Sequence, residues 1–183
     1  MENGSFCCPS STINALIMAK TSKTDQSATG SIAMDSKDLA ILKLLQQNAR
    51  VTVKEISDKV HLSTTPVHER IKRMEDSGVI KQYATLVDHA KVKKGLMVIC
   101  YVSLKQHSRN AGDKFIKTIH ELHEVIECYN ISGEFDFMLK VVAENMDAYY
   151  DFHVNKLSNV ENMGKVQSVF VMGVIKQTHQ LVY

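Results

Sequence analysis

The sequence lacks what a membrane or exported protein needs. Its longest apolar stretch, GLMVICYVSL at 95–104, falls far short of the ~20 residues that cross a bilayer. The opening MENGSFCCPSSTINALIM puts Glu2 where a secretory signal carries positive charge, and Asn14 interrupts its short apolar part, so no export signal is expected. Cysteine is scarce: Cys7, Cys8, Cys100 and Cys128 make neither a disulfide ladder nor paired CxxC metal spacing, and a reducing cytoplasm suits them.

Catalytic patterns are missing as well. There is no Gly-rich phosphate loop and no GxSxG elbow, and His61, His89, His107, His153 and His179 are scattered. HELHE at 120–124 sets His120 and His123 three apart, without the i, i+4 pair of a zinc protease and without an evident third ligand. No catalytic residue, metal site or cofactor is expected, and no internal repeat suggests a solenoid.

What is present is a chain of 183 residues, 44% apolar and 23% charged, enough for one ordinary domain or two small ones. Its net charge of +2 is unevenly divided: Asp35 to Gly95 holds twelve Lys and Arg against eight Asp and Glu, whereas Leu96 to Tyr183 holds eight against ten. A basic middle beside an acidic end suggests two modules with different partners.

Residues 1–34, rich in Ser, Thr, Asn and Gly without periodicity, read as a disordered leader, with Met34 an alternative start. DSKDLAILKLLQQNA then places Leu39, Ile41, Leu42, Leu44 and Leu45 at helical spacing behind a first turn of acids, and Asn48 marks an end. Thr52 with Glu55 forms a capping box opening a second helix. A third begins after HLS, where Pro66 is tolerated because first-turn amides have no intrahelical acceptor, and stops at Gly78. The β-formers of 79–88 predict a strand or wing, and HAKVKKG a basic linker, so residues 35–95 make the first module. From 96 the pattern predicts a strand (96–105), a helix carrying Phe115, Ile116, Ile119 and Leu122, strands at 125–131 and 136–143, a helix around Tyr149 and Leu157, and a strand or strand pair from Val166 to Tyr183. The order β-α-β-β-α-β over 96–183 is the split βαβ, ferredoxin-like arrangement, giving an α+β protein.

The third helix points to nucleic acid. Val67, Ile71 and Met74 share a packing face, which leaves Thr65, Glu69, Lys72 and Asp76 outward, flanked by His68 and Arg73. Short polar side chains at its start suit base edges in a major groove, and cations further on suit phosphates. Glu69 can accept from cytosine N4 or simply orient Arg73 one turn on. A solvated charged face on a three-helix bundle is the plainer reading of the helix taken alone.

DLAILKLLQQNARVTVKEISDKVHLSTTPVHERIKRMEDSGVIKQYATLVD resembles the winged helix-turn-helix of the Lrp/AsnC (leucine-responsive/asparagine regulator, feast/famine) transcriptional regulators, and SGEFDFMLKV with VFVMGVIKQTHQLV resembles their amino-acid-sensing ferredoxin-like domain. The resemblance spans about 35–183, and STTPVHERIKR and VMGVIKQTHQLV lie nearer the leucine-responsive branch. It implies that Ser63 to Arg73 form the recognition segment, with Thr64, Thr65, His68 and Glu69 nearest bases and Arg70, Lys72 and Arg73 nearest phosphates; Arg70, closer to the packed face, doubles as a candidate structural ion-pair partner. It further implies an effector, a small amino acid, at the Gly-x-x-Asp loop formed by Gly133, Glu134, Phe135 and Asp136, with Ser168, Val169 and Phe170 on the neighbouring terminal strand. Gly173 and Val174 stand where the leucine-responsive branch commonly has acids, which leaves the effector's identity open. Homo-oligomers, dimers building to an octamer, are implied too.

Residue chemistry bears on the same loop. Gly133 permits φ > 0 and exposes backbone N–H groups to a carboxylate, while Asp136 can meet an ammonium, opposite poles that suit a zwitterion. An ordinary polar β-turn is the plainer alternative. The expected function is a cytoplasmic, double-stranded-DNA-binding regulator modulated by an amino acid. A ligand-independent architectural DNA binder and a small enzyme on a ferredoxin-like scaffold are the rivals, the second lacking a paired acid and base.

Overall fold

The computed structural model describes residues 33–183. These fall into two compact units, one of Val87–Val174 and the other of the described part of Asp25–Leu86 together with Ile175–Tyr183. Apart from its last two residues, the expected leader, with Cys7 and Cys8, lies outside the described residues.

The helical unit contains α1 (Ser36–Gln47), α2 (Val53–Val60) and α3 (Thr64–Asp76). Each begins where local chemistry satisfies first-turn amides or removes the need. At α1 the Asp35 carboxylate accepts the N–H groups of Lys37 and Asp38, and the Asp38 carboxylate accepts that of Asp35. At α2 the Thr52 and Glu55 box forms as the sequence reading expects. His61 turns left-handed (φ 54°) to end α2, and Gly78 does so (φ 75°) just past α3, a backbone state that glycine adopts without a Cβ penalty. Ile41, Leu42, Ile56, Val60, Val67 and Met74 close the core between the helices, and burying side chains of this size stabilises by about 1.5–3 kcal/mol each.

The wing strand expected at 79–88 does not form. The Ile80 amide instead donates to the Met74 carbonyl, Ile80 packs on the helical core, and the Tyr83 hydroxyl donates to Glu75 at 2.8 Å. A hairpin needs a second strand, and the chain that follows offers only a short 3₁₀ turn, Ala90–Val92.

The second unit contains β1 (Leu96–Leu104), α4 (Arg109–His120), β2 (Val125–Asn130), β3 (Phe137–Ala143), α5 (Met146–Asp151) and β4 (Met163–Phe170). A π turn, Phe152–Lys156, and a 3₁₀ turn, Leu157–Asn159, extend α5. The sheet is antiparallel in the order β2-β3-β1-β4, the ferredoxin-like topology. Along β1 burial alternates: Val98, Cys100, Val102 and Leu104 point into a core with Phe115, Phe137, Leu139, Phe152 and Leu157, while Met97, Ile99 and Tyr101 lie half-buried on the other face. Gly164 sits where the β1–β4 register shifts, and a Cβ there would come within 2.8 Å of the Ser103 carbonyl oxygen, so a side chain is excluded by backbone.

The strand or strand pair expected from Val166 to Tyr183 is corrected in two respects. β4 begins earlier, at Met163, and ends at Phe170, with Val171 still donating to the Met97 carbonyl. Beyond it the chain forms no ladder, because β1, its only neighbour among the described residues, runs out at Leu96. The last residues belong to the helical unit instead: the Leu181 N–H donates to Gln46 Oε1 at 2.7 Å, and Gln46 Nε2 donates to the Tyr183 hydroxyl at 2.8 Å, along the Leu39, Ala40 and Lys43 side of α1.

Candidate DNA interface and effector loop

Packing of Val67 and Met74 into the core, both 0% exposed, fixes which side of α3 faces outward. Ser63, Thr64, Thr65, His68, Glu69, Lys72 and Arg73 are all exposed, and Arg70 is half-buried. The Ser63 side chain makes no capping hydrogen bond, so the first amides of α3 are not satisfied by that hydroxyl. Of the three cations expected near phosphate, two are engaged within the fold. Arg70 Nη1 donates to Asp35 Oδ2 and Asp38 Oδ1, each at 2.7 Å, and Arg73 Nη2 donates to Asp38 Oδ2 at 2.6 Å. The Asp38 N–H and the Arg70 guanidinium hold the Asp35 carboxyl below its ordinary value, and Asp38 and Asp35 raise that of Arg70. Lys72 has no ion pair among the described residues.

The loop at 133–136 joins the ends of β2 and β3. Gly133 has φ 130°, and no atom lies within 4 Å of where its Cβ would stand, so the loop backbone there opens to solvent. The Glu134 carboxylate pairs with Lys165 Nζ at 2.6 Å, and the same ammonium stands 5.1 Å over the Phe135 ring. Phe135 in turn lies 5.6 Å from the Tyr101 ring. Asp136 is turned inward: Oδ2 accepts the Leu104 N–H at 2.8 Å, Oδ1 faces His107 Nδ1 at 3.5 Å, and the side chain is 19% exposed.

Ser168, Val169 and Phe170 sit further along the sheet. They pair with Cys100, Ile99 and Val98, whereas the loop adjoins Val102, Leu104 and Lys165. Ser168 Oγ accepts from the buried Tyr149 hydroxyl at 2.6 Å, and Cys100 Sγ lies 3.2 Å from that hydroxyl. Burial pushes both the Tyr149 phenol and the Cys100 thiol up, so these groups stay neutral core members. Ser168 therefore faces the covered side of the sheet, and Val169, 42% exposed, the other. Within one chain the loop gathers Tyr101, His107 and Lys165, three residues the sequence reading did not single out. Tyr101 lies on the strand expected at 96–105 and Lys165 just before the one expected from Val166, and neither pattern ties them to the loop.

Two family models match the chain. One, described as Lrp/AsnC ligand binding domain, covers residues 97–181, and one, described as winged helix-turn-helix DNA-binding, covers 34–81. The DNA-binding transcriptional activator DecR of Escherichia coli is 30% identical over 148 residues, 81% of this chain and 97% of the relative. The chain belongs to the Lrp/AsnC family of DNA-binding transcriptional regulators. Another member, the leucine-responsive regulatory protein of Haemophilus influenzae, is 34% identical over 150 residues, 82% of this chain and 90% of its own. Among solved structures, a transcriptional regulator from Neisseria meningitidis in complex with L-methionine superimposes with a TM-score of 0.78 at 34% identity, covering 81% of this chain and 96% of that one. An AsnC family regulator from Agrobacterium tumefaciens superimposes at 0.77 with 36% identity, covering 81% and 97%.

Proposed function

We propose that this Lrp/AsnC regulator reads duplex DNA with the outer face of α3, and that an amino acid bound at the 133–136 loop modulates that binding. The observation that carries the DNA reading is the division of α3: Val67 and Met74 are sealed in the core, so Thr64, Thr65, His68 and Glu69 form an exposed polar edge with Lys72 one turn on. Side chains of that length reach base edges, and an unpaired ammonium suits phosphate. Ser63 precedes the helix, where uncapped amides suit a phosphate as well.

The effector is a zwitterion of modest size. The open backbone at Gly133 supplies donors for its carboxylate, and Asp136 supplies a carboxylate for its ammonium, shared with His107 and the Leu104 amide. Glu134, Phe135 and Lys165 form the rim, and Val169 extends it along β4, whereas Phe170 lies against the Tyr149 ring on the covered side. The methionine complex of the Neisseria relative supports an amino acid as the class. The protein acts as a homo-oligomer in the cytoplasm, dimers assembling to an octamer through the half-exposed sheet face of Met97, Ile99, Tyr101 and Val169. Neither a metal nor a catalytic residue enters this reading.

The test is selection of bound sequences from random duplexes, repeated with and without L-methionine, leucine, alanine, lysine and asparagine. A recovered consensus whose affinity shifts roughly 5- to 150-fold with one of them supports both halves. Equal binding to unrelated duplexes, unaffected by any amino acid, would leave an architectural DNA binder instead.

A further inference from the structure

The first turn of α1 reaches both other helices of its unit. Lys37 Nζ donates to the Val60 carbonyl at the end of α2 at 2.6 Å, and one residue on, Asp38 holds two arginines of α3. Asp38 is 0% exposed although it is a carboxylic acid, and its oxygens take Arg70 Nη1 at 2.7 Å, Arg73 Nη2 at 2.6 Å and the Asp35 N–H at 3.0 Å. A carboxylate so deeply buried is tolerated only with its lone pairs met by donors, and here cations meet them. Arg70 and Arg73 are three residues apart, so a single carboxylate grips α3 at two points a turn apart on one side. Two such points fix both the rotation of α3 about its axis and its position along it.

We propose that Asp38 is the positioning residue for the DNA-reading helix. By capturing Arg70 and Arg73 it sets the angle at which Thr64, Thr65, His68 and Glu69 meet base edges, and it removes both arginines from the phosphate-binding set. The inference rests on α3 being the reading helix. For either guanidinium to serve a phosphate it must leave a buried carboxylate half-paired, whereas Lys72, exposed between them, carries no such penalty. Charge near DNA is thus spent in two ways on neighbouring positions: two arginines give geometry and one lysine gives attraction.

Salt dependence separates these roles, because each phosphate neutralised adds about 0.9 to the slope of log affinity against log salt. Dissociation constants of the full chain are measured at several potassium chloride concentrations for the best duplex from random selection and for a scrambled duplex. Circular dichroism confirms folding at the assay temperature. Lys72→Gln is expected to lower the slope by about 0.9 on both duplexes and to keep their affinity ratio. Arg73→Gln is expected to leave the slope unchanged and to reduce the ratio at least tenfold, with Arg73→Lys restoring part of it by pairing again with Asp38. Asp38→Asn, which also loosens Arg70, should reduce the ratio at least as much as Arg73→Gln, and the double variant should be no worse than Asp38→Asn alone, since the Asp38–Arg73 pair is lost only once. If Asp38→Asn melts below the assay temperature, Arg73→Gln and Arg73→Lys decide the matter alone. A slope lowered by Arg73→Gln as much as by Lys72→Gln, or a folded Arg73→Gln with an unchanged ratio, overturns the proposal while leaving α3 as the reading helix. If Lys72→Gln changes neither slope nor affinity, the reading-helix assignment itself fails, and this inference with it.

Discussion

Asp136 and Leu104 are joined across the sheet: the Leu104 N–H donates to Asp136 Oδ2 at 2.8 Å, so the carboxylate proposed to receive an effector's ammonium also secures the end of β1. The two roles separate by substitution. Asp136→Asn keeps an oxygen for Leu104 and removes the charge, whereas Asp136→Ala removes both and leaves a half-buried amide unpaired, at a cost of about 1–3 kcal/mol. Thermal melting should therefore place Asp136→Asn near wild type and Asp136→Ala below it. Calorimetric titration with L-methionine, leucine, alanine, lysine and asparagine should show the response lost in both. Undiminished amino-acid affinity in Asp136→Asn would remove this carboxylate from the effector site.

On α3 the exposed edge makes a separate prediction. Thr65→Ala and Glu69→Ala should change which duplex is preferred rather than weaken binding to all, each lost base contact costing about 1–3 kcal/mol of discrimination. Repeating the random-duplex selection with each variant reads this directly. An unchanged consensus from both would show that these side chains do not face bases.

Gln46 should stabilise the helical unit through the terminal segment. Gln46→Ala deletes the bonds to Leu181 and Tyr183, each worth about 0.5–1.5 kcal/mol and nearer the lower figure on an exposed surface. A drop of a few degrees in melting temperature is expected. Removing residues 180–183 should give a similar drop and add little in the Gln46→Ala background, because both changes break the same contact. Additive losses would mean that the tail acts elsewhere.

Acid should loosen the helical unit through its two helix caps. The Asp38 N–H and Arg70 hold the Asp35 carboxyl below its usual range, and the backbone and side chain of Thr52 do the same for Glu55. In the unfolded chain these groups bind protons near their ordinary values of about 3.9 and 4.3, so the unfolded state takes up protons first as pH falls. Their contribution is fully present above those values and is lost as pH drops toward the lower folded ones. Urea midpoints should fall across this window, and Asp35→Asn with Glu55→Gln should flatten the fall by removing the titrating groups. A curve just as steep in the double variant would assign acid sensitivity to other carboxylates.

The parts legible in the sequence are those whose causes lie within a few residues. Thr52 and Glu55 announce α2, Asn48 marks the end of α1, and the spacing of Val67, Ile71 and Met74 gives the buried side of α3. The strands of the sensing unit are legible for the same reason, a short run of apolar β-formers such as LMVICYVSL, although the alternation of burial along β1 shows only in the structure. The strand expected at 79–88 and the continuation of the terminal strand beyond Phe170 do not form because β-forming residues set a preference but cannot supply a ladder partner, and among the described residues none stands beside either stretch. Asp38 reads in sequence only as an acid in a first turn; its arginines lie 32 and 35 residues away, a relation no local pattern encodes. Asp136 is marked in the sequence by its Gly-x-x-Asp loop, but its bond to Leu104 is not, for the same reason of distance along the chain.

The return of Ile175–Tyr183 to the helical unit makes that unit discontinuous, with Val87–Val174 inserted between its two pieces. During synthesis the three helices emerge long before the segment that covers the Leu39 and Ala40 side of α1. They can pack on one another at once, but the contact through Gln46 waits until the whole sensing unit has been made. The chain thereby acquires an order of assembly in which its DNA-reading part is finished last, and a ribosome stalled within the sensor holds a reader still missing a piece of its own surface.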